Sequence, residues 1–148
     1  MGKKDSSPAP QESANLEPVI EDGVDPRIFG TWLLLETNMV DENSGLEIPS
    51  HKLRALFTIS KDQFTYTVEM VKSGKLICSS GVSTNYFSVS KDAISIHEKL
   101  SNTSVVDEET DCSVDLEKTS VKYDLKSDHV IIVTAENGEV LTVNRHIK

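Results

Sequence analysis

The sequence predicts an all-β protein, an antiparallel up-and-down meander β-barrel of about eight to ten strands, and three observations carry that expectation. Beyond Pro49 the chain has no proline and is dense in Val, Ile and Thr, whose branched side chains suit a pleated surface. Apolar residues recur at every second position, as in Phe64, Tyr66, Val68 and Met70 and again in Val121, Tyr123 and Leu125. That is the period of a strand with one buried face. Short polar stretches at 60–63, 72–75, 90–93, 126–129 and 136–139 break these runs at strand-like intervals, and Asn137-Gly138 tolerates the positive φ of a type I′ hairpin turn.

The elements follow in order. Residues 1–25 contain three of the five prolines, no aromatic residue, and six acids against Lys3 and Lys4. With so little to bury they cannot offset the entropy of ordering, and we expect a disordered tether. The domain then covers residues 26–148 and holds all eight aromatics. Strands are expected over 28–37, 53–60, 63–72, 75–81, 84–90, 93–100, 112–116, 119–126, 129–135 and 138–145. Closing such a meander into a barrel removes the exposed edges that an open sheet would leave.

Phe29-Gly30-Thr31-Trp32 opens the first strand, and near the other end Leu141-Thr142-Val143-Asn144-Arg145 follows two turn-bounded apolar runs. This layout resembles the lipocalin-like (calycin) barrels, in particular small bacterial domains that carry a G-x-W at the start and an Arg at the close. The resemblance implies that Arg145 packs across the ring of Trp32 beside Gly30, a cation against a π-face that seals one end of the barrel. The chain is shorter than a full lipocalin and shows no helix pattern after the last strand, which points to a reduced variant.

Formal net charge is −9, so nucleic acid is not expected as a partner. No run of about 18 apolar residues suggests a membrane-spanning helix. His51, His97, His129 and His146 are scattered, without the i, i+4 partner of a metal site. Gly-rich phosphate loops and the G-x-S-x-G elbow are missing as well. We therefore expect neither an enzyme nor a cofactor or metal.

Cys78 and Cys112 are the only cysteines, and their reading stays open between a disulfide and two buried thiols. A bridge would stabilise by about 4 kcal/mol in the chain-entropy model. The start, Met1-Gly2-Lys3-Lys4-Asp5-Ser6, formally fits a myristoylation pattern, but a basic residue directly after Gly2 disfavours it. Gly-Lys-Lys-Asp-Ser-Ser-Pro-Ala-Pro looks more like the mature start of a bacterial lipoprotein with Met1 in place of the lipidated Cys. That implies a lipid anchor in the cell envelope or periplasm; a cytoplasmic chain is the alternative.

The lipocalin resemblance implies a small hydrophobic or amphipathic ligand held inside the barrel. Alternation from Trp32 assigns inward Leu34, Ala55, Phe57, Ile59, Phe64, Tyr66, Val68, Met70, Phe87, Val89, Ile94, Ile96, Tyr123, Leu125, Val130, Ile132, Leu141 and Val143. Of these, Phe57, Phe64, Tyr66, Met70, Phe87, Tyr123 and Ile132 are the candidate ligand-binding residues. The alternative is a filled barrel that binds or inhibits a basic protein through an acidic surface, motivated by the run Asp107-Glu108-Glu109-Thr110-Asp111.

Overall fold

The computed structural model describes residues 17–41, 43–106 and 111–146. Among them the regular elements are β1 (Val19–Ile20), a 3-10 turn (Pro26–Ile28), β2 (Gly30–Val40), β3 (Glu47–Ile59), β4 (Phe64–Lys72), β5 (Lys75–Thr84), β6 (Phe87–Val89), β7 (Ala93–Ile96), β8 (Leu100–Val105), β9 (Asp111–Leu116), β10 (Thr119–Leu125), β11 (Val130–Thr134) and β12 (Val140–Arg145). The protein is all-β. Ten strands form one sheet in the order β1-β6-β7-β10-β11-β12-β2-β3-β4-β5, strongly curled into a half-barrel, and β8 pairs with β9 apart from it. Every pairing is antiparallel except that of β1 with β6.

The ladder does not run round a full circle. β5 forms one edge of the sheet and β6 lies at the other end, flanked only by the two-residue β1, although only Asn85 and Tyr86 separate them in sequence. The chain leaves β4 at this crossing and joins β7, so one ladder ends before the next begins. Thr84 holds the crossing: its hydroxyl accepts from the Tyr86 amide at 2.8 Å and donates to the Glu98 carboxylate.

A bent hairpin fills the gap. β7 pairs with β10 up to Ile96 opposite Thr119, and β8 pairs with β9 from Leu100 opposite Leu116. His97, Glu98 and Lys99 thus stand against Glu117 and Lys118, and that one-residue excess bends the hairpin as a bulge does. Its outer arm packs on β4 and β5. A disulfide from Cys78 of β5 to Cys112 of β9 ties it there, with Cα atoms 6.0 Å apart, and Asn102 Nδ2 donates to the Gly81 carbonyl at 3.1 Å. The single strand expected over 93–100 is therefore two strands, with the second running on to Val105.

Two further expectations change. The β2–β3 hairpin is longer than its sequence suggests because Pro49 falls where the register jumps, from Asn38 opposite Lys52 to Met39 opposite Ile48. Proline is tolerated at such an irregularity. Part of the segment expected as a tether is ordered: Val19 and Ile20 pair with Ser88 and Val89, the Lys91 amide donates to the Glu21 carboxylate at 3.1 Å, and Ile20 and Val24 pack on the core. Two medium apolar residues suffice once an open edge strand accepts their backbone. Residues 1–16, and 107–110 of the acidic run, lie outside the described residues.

The core fills the curl with Ile28, Trp32, Phe57, Ile59, Phe64, Phe87, Val89, Ile131 and Val143 among others. On β11 the phase is opposite to that expected, since Ile131 and Val133 are buried while Val130 and Ile132 are only partly so. A four-residue apolar run carries no alternation to set its phase. The partner decides: Tyr123 and Val143, both buried, stand opposite Val133 and Ile131.

Removal of residues 1–16 should leave the thermal midpoint unchanged, whereas removal of 1–25 should cost about 2 kcal/mol in denaturant unfolding through lost burial of Ile20 and Val24. Equal midpoints for the two truncations would show that β1 contributes nothing. Replacing Cys78 and Cys112 by Ala should cost up to about 4 kcal/mol, and a variant as stable as the parent would assign the tie no role.

Candidate functional site

One end of the curl is closed by a single guanidinium. Trp32 is 0% exposed, its indole Nε1 donates to the Ile28 carbonyl at 2.9 Å, and Arg145 Cζ lies 4.2 Å from the centroid of its ring. Arg145 also donates from Nε to the Asp128 carbonyl at 2.6 Å and from Nη1 to the Phe29 carbonyl at 3.0 Å, and Nη2 reaches the Arg27 carbonyl. Backbone acceptors and a π-face together fix it in one orientation. Gly30 makes room: its φ is +132°, and a Cβ there would collide with Arg145 Nη1.

The neighbouring Arg27 is held between Asp25, at 2.8 Å, and Asp128, at 3.1 Å. The hydrogen bonds from Arg27 keep the Asp25 carboxyl below its usual range. This links the 3-10 turn to the β10–β11 turn at the surface of the same end.

Further along the lumen lies an apolar cavity of about 220 Å³. Leu34, Phe57, Phe64 and Tyr66 form one wall and Ile94, Ile96, Val121 and Val133 the facing one, with Asp115, Leu116 and Thr119 at the bulged hairpin. The position follows from the strand pairings. β3 and β4 present Phe57 and Tyr66 as a cross-strand pair, and Phe64 stacks on Phe57 with centroids 5.9 Å apart.

Polar groups here are few. Thr119 donates to the Glu136 carboxylate at 2.6 Å, a bond that keeps the Glu136 carboxyl below its usual range. Tyr66 is different, because no described residue hydrogen-bonds its hydroxyl, and burial pushes its phenol pKa up. It stays protonated at neutral pH, available as donor or acceptor to a guest.

The candidate residues divide. Phe57, Phe64 and Tyr66 line the cavity. Phe87 lies in the core behind it, its ring 6.1 Å from that of Phe64. Tyr123 is buried toward the closed end, where its hydroxyl donates to the Ser90 carbonyl at 2.7 Å, and burial, with Asp92 nearby, pushes its pKa up. Met70 is half-buried beyond the cavity, opposite Leu53 and Cys78. Ile132 is on the opposite face of β11 from the lining Val133. Gly30, Trp32 and Arg145 come together at the closed end.

Val121 and Thr119 line the cavity but were not among the residues assigned inward, although the alternation that turns Tyr123 inward extends to them. Asp115 and Leu116 were not, because only the bulge brings the outer hairpin arm over the lumen.

Among the described residues no three His, Cys, Asp or Glu side chains cluster closely enough to hold a metal ion, and no helix is long and apolar enough to cross a membrane. His97 Nε2 lies 3.1 Å from Ser88 Oγ, and His51 Nδ1 lies 2.9 Å from Ser50 Oγ. No protein-family model, curated protein or solved structure matches the chain.

Trp32→Ala should cost about 3 to 5 kcal/mol. Arg145→Ala should cost less, and the pair should be non-additive by about 0.5 kcal/mol or more in a double-mutant cycle. Strict additivity in urea unfolding would mean that the stacked geometry contributes no energy. Gly30→Ala should weaken the same end by about 1 kcal/mol or more through φ strain and displacement of Arg145.

Proposed function

We propose that this is a non-enzymatic binding protein that holds a small hydrophobic or amphipathic molecule in the lumen of its curled sheet. The cavity of about 220 Å³ carries the reading. Its lining is almost wholly aliphatic and aromatic, with the Tyr66 hydroxyl as a polar handle. A dry apolar cavity of about 150 Å³ accepts benzene, so this one is large enough for a compact ring or a segment of alkyl chain. A lining with few, placed polar groups is the usual composition of a small-molecule site.

The sealed end formed by Gly30, Trp32 and Arg145 supports the lipocalin-like resemblance, and with it an entrance at the opposite end of the strands. The disulfide supports an oxidising compartment such as the bacterial envelope. In this reading a lipid-anchored N-terminus tethers the domain there, and the membrane is involved only through that anchor.

An apolar naphthylamine dye should bind the folded protein with enhanced fluorescence. Val121→Phe, which fills the cavity, should weaken uptake about tenfold or more, an energy within the range expected for occupied apolar volume. Tyr66→Phe should leave a wholly apolar dye unaffected and weaken a hydroxyl-bearing guest about fivefold, as expected for one hydrogen bond. If the parent protein takes up no dye, the binding reading is wrong.

A further inference from the structure

The long strands β3 and β4 offer no path to the cavity. At one end Arg145 lies across Trp32. Toward the other, the β8–β9 hairpin packs on β4 and β5, and the disulfide from Cys112 pins it at Cys78, which stands opposite Met70. Ala55 is 9% exposed and Val68 packs on the core. The inner face of these strands is therefore covered from the seal to the disulfide.

The facing wall is thinner. Asp115 is the only exposed residue in the cavity lining, and Thr119 is half-buried. These two flank the bulge of the bent hairpin. The β7–β10 ladder ends at Ile96 opposite Thr119, and the β8–β9 ladder starts at Leu100 opposite Leu116, so His97, Glu98 and Lys99 form no ladder with Glu117 and Lys118. Ile96 and Thr119 are also shared with a second cavity, a polar cleft of about 380 Å³ on the outer side of the bend, where Lys118, His97 and Glu136 reach it. One cross-strand pair thus separates the apolar cavity from the polar cleft.

The side-chain bonds that close this gap are few and exposed. The Thr119 hydroxyl donates to Glu136 at 2.6 Å, and Lys99 Nζ lies 3.7 Å from the Glu117 carboxylate, with both side chains well exposed. Surface pairs of this kind hold weakly, and segments with few buried bonds open locally at the lowest free energy. The disulfide fixes the far part of the hairpin and leaves this bend as its compliant point.

We infer that the guest enters and leaves through the gap at the bulge, between Asp115 and Thr119, with the polar cleft as its antechamber. The inference rests on the binding reading above and adds the route. A path under the hairpin would require the pinned arm to lift, whereas a path through the bulge breaks only exposed contacts.

Stopped-flow mixing of the full chain with an apolar naphthylamine dye reads the entry rate, and displacement of bound dye reads the exit rate. Lys118→Trp, at an exposed position in the gap, should slow both rates about tenfold or more. Glu136→Ala, which removes the acceptor of the Thr119 hydroxyl, should raise both rates about fivefold, as expected for one hydrogen bond. Leu35→Trp should change neither rate; Leu35 lies on β2 beyond its short pairing with β12. Replacing Cys78 and Cys112 by Ala should also leave entry within about twofold of the parent.

Rates indifferent to both Lys118→Trp and Glu136→Ala overturn the route while dye binding keeps the cavity reading. Slowing by Leu35→Trp alone would move the entrance to the gap between β2 and β12, and entry accelerated tenfold or more without the disulfide would move it under the hairpin. Either result overturns the inference. A parent protein that takes up no dye removes the binding reading and the route together.

Discussion

The stack of Arg145 on Trp32 is the constraint from which the rest of the fold is arranged. It joins the last described strand to the first long one at Arg145 opposite Trp32, where β12 and β2 share only two paired positions. A ladder that short would fray. The guanidinium compensates by bonding carbonyls of Arg27 and Phe29 at the 3-10 turn and of Asp128 in the β10–β11 turn, two separate pieces of chain. Only the bond to Phe29 is part-buried, so losing the cation would leave that one carbonyl short of a partner while water replaces the other two donors. Removal of Cβ at Gly30 is what lets the guanidinium approach.

With that end sealed, strand length decides where space is left. β2 and β3 run 11 and 13 residues against 5 and 6 for β11 and β12. The paired portions close on a packed core near Trp32, the lumen opens at Tyr66, and the surplus of the long strands is left as a one-sided sheet. On that surplus Leu35 and Leu53 are exposed, while Ala55, Val68 and Met70 are buried or half-buried and the β8–β9 hairpin packs on β4 and β5. The same mismatch thus accounts for the cavity at Tyr66.

The gap between β5 and β6 has a complementary origin. A continuous ladder would demand that one strand serve β4 and β7 together along its length, and the crossing at Asn85 and Tyr86 divides the task instead. The bulged hairpin covers the opening, and the disulfide supplies the long-range tie that backbone pairing does not. Asp115 and Leu116 reach the lumen by this route, and their place depends on one extra residue between Ile96 and Leu100.

By itself the sequence determined the strand content, most of the turns and the inward face of β3, β4 and β10, because alternation and turn chemistry act over a few residues, whereas the meeting of Trp32 and Arg145 was expected only through the lipocalin-like resemblance. It was silent where local pattern is degenerate. Val130 through Val133 are all apolar, so only pairing with β10 and β12 turns Ile131 and Val133 inward. Val19 and Ile20 are too few to signal a strand, and an open edge at β6 is what recruits them. Cys78 and Cys112 were compatible with a bridge or with buried thiols until the hairpin bend brought their strands together. Closure of the barrel was the largest difference, and its reason is geometric: whether a meander completes its last ladder depends on bulges and strand lengths summed round the whole sheet, a quantity that no single segment carries.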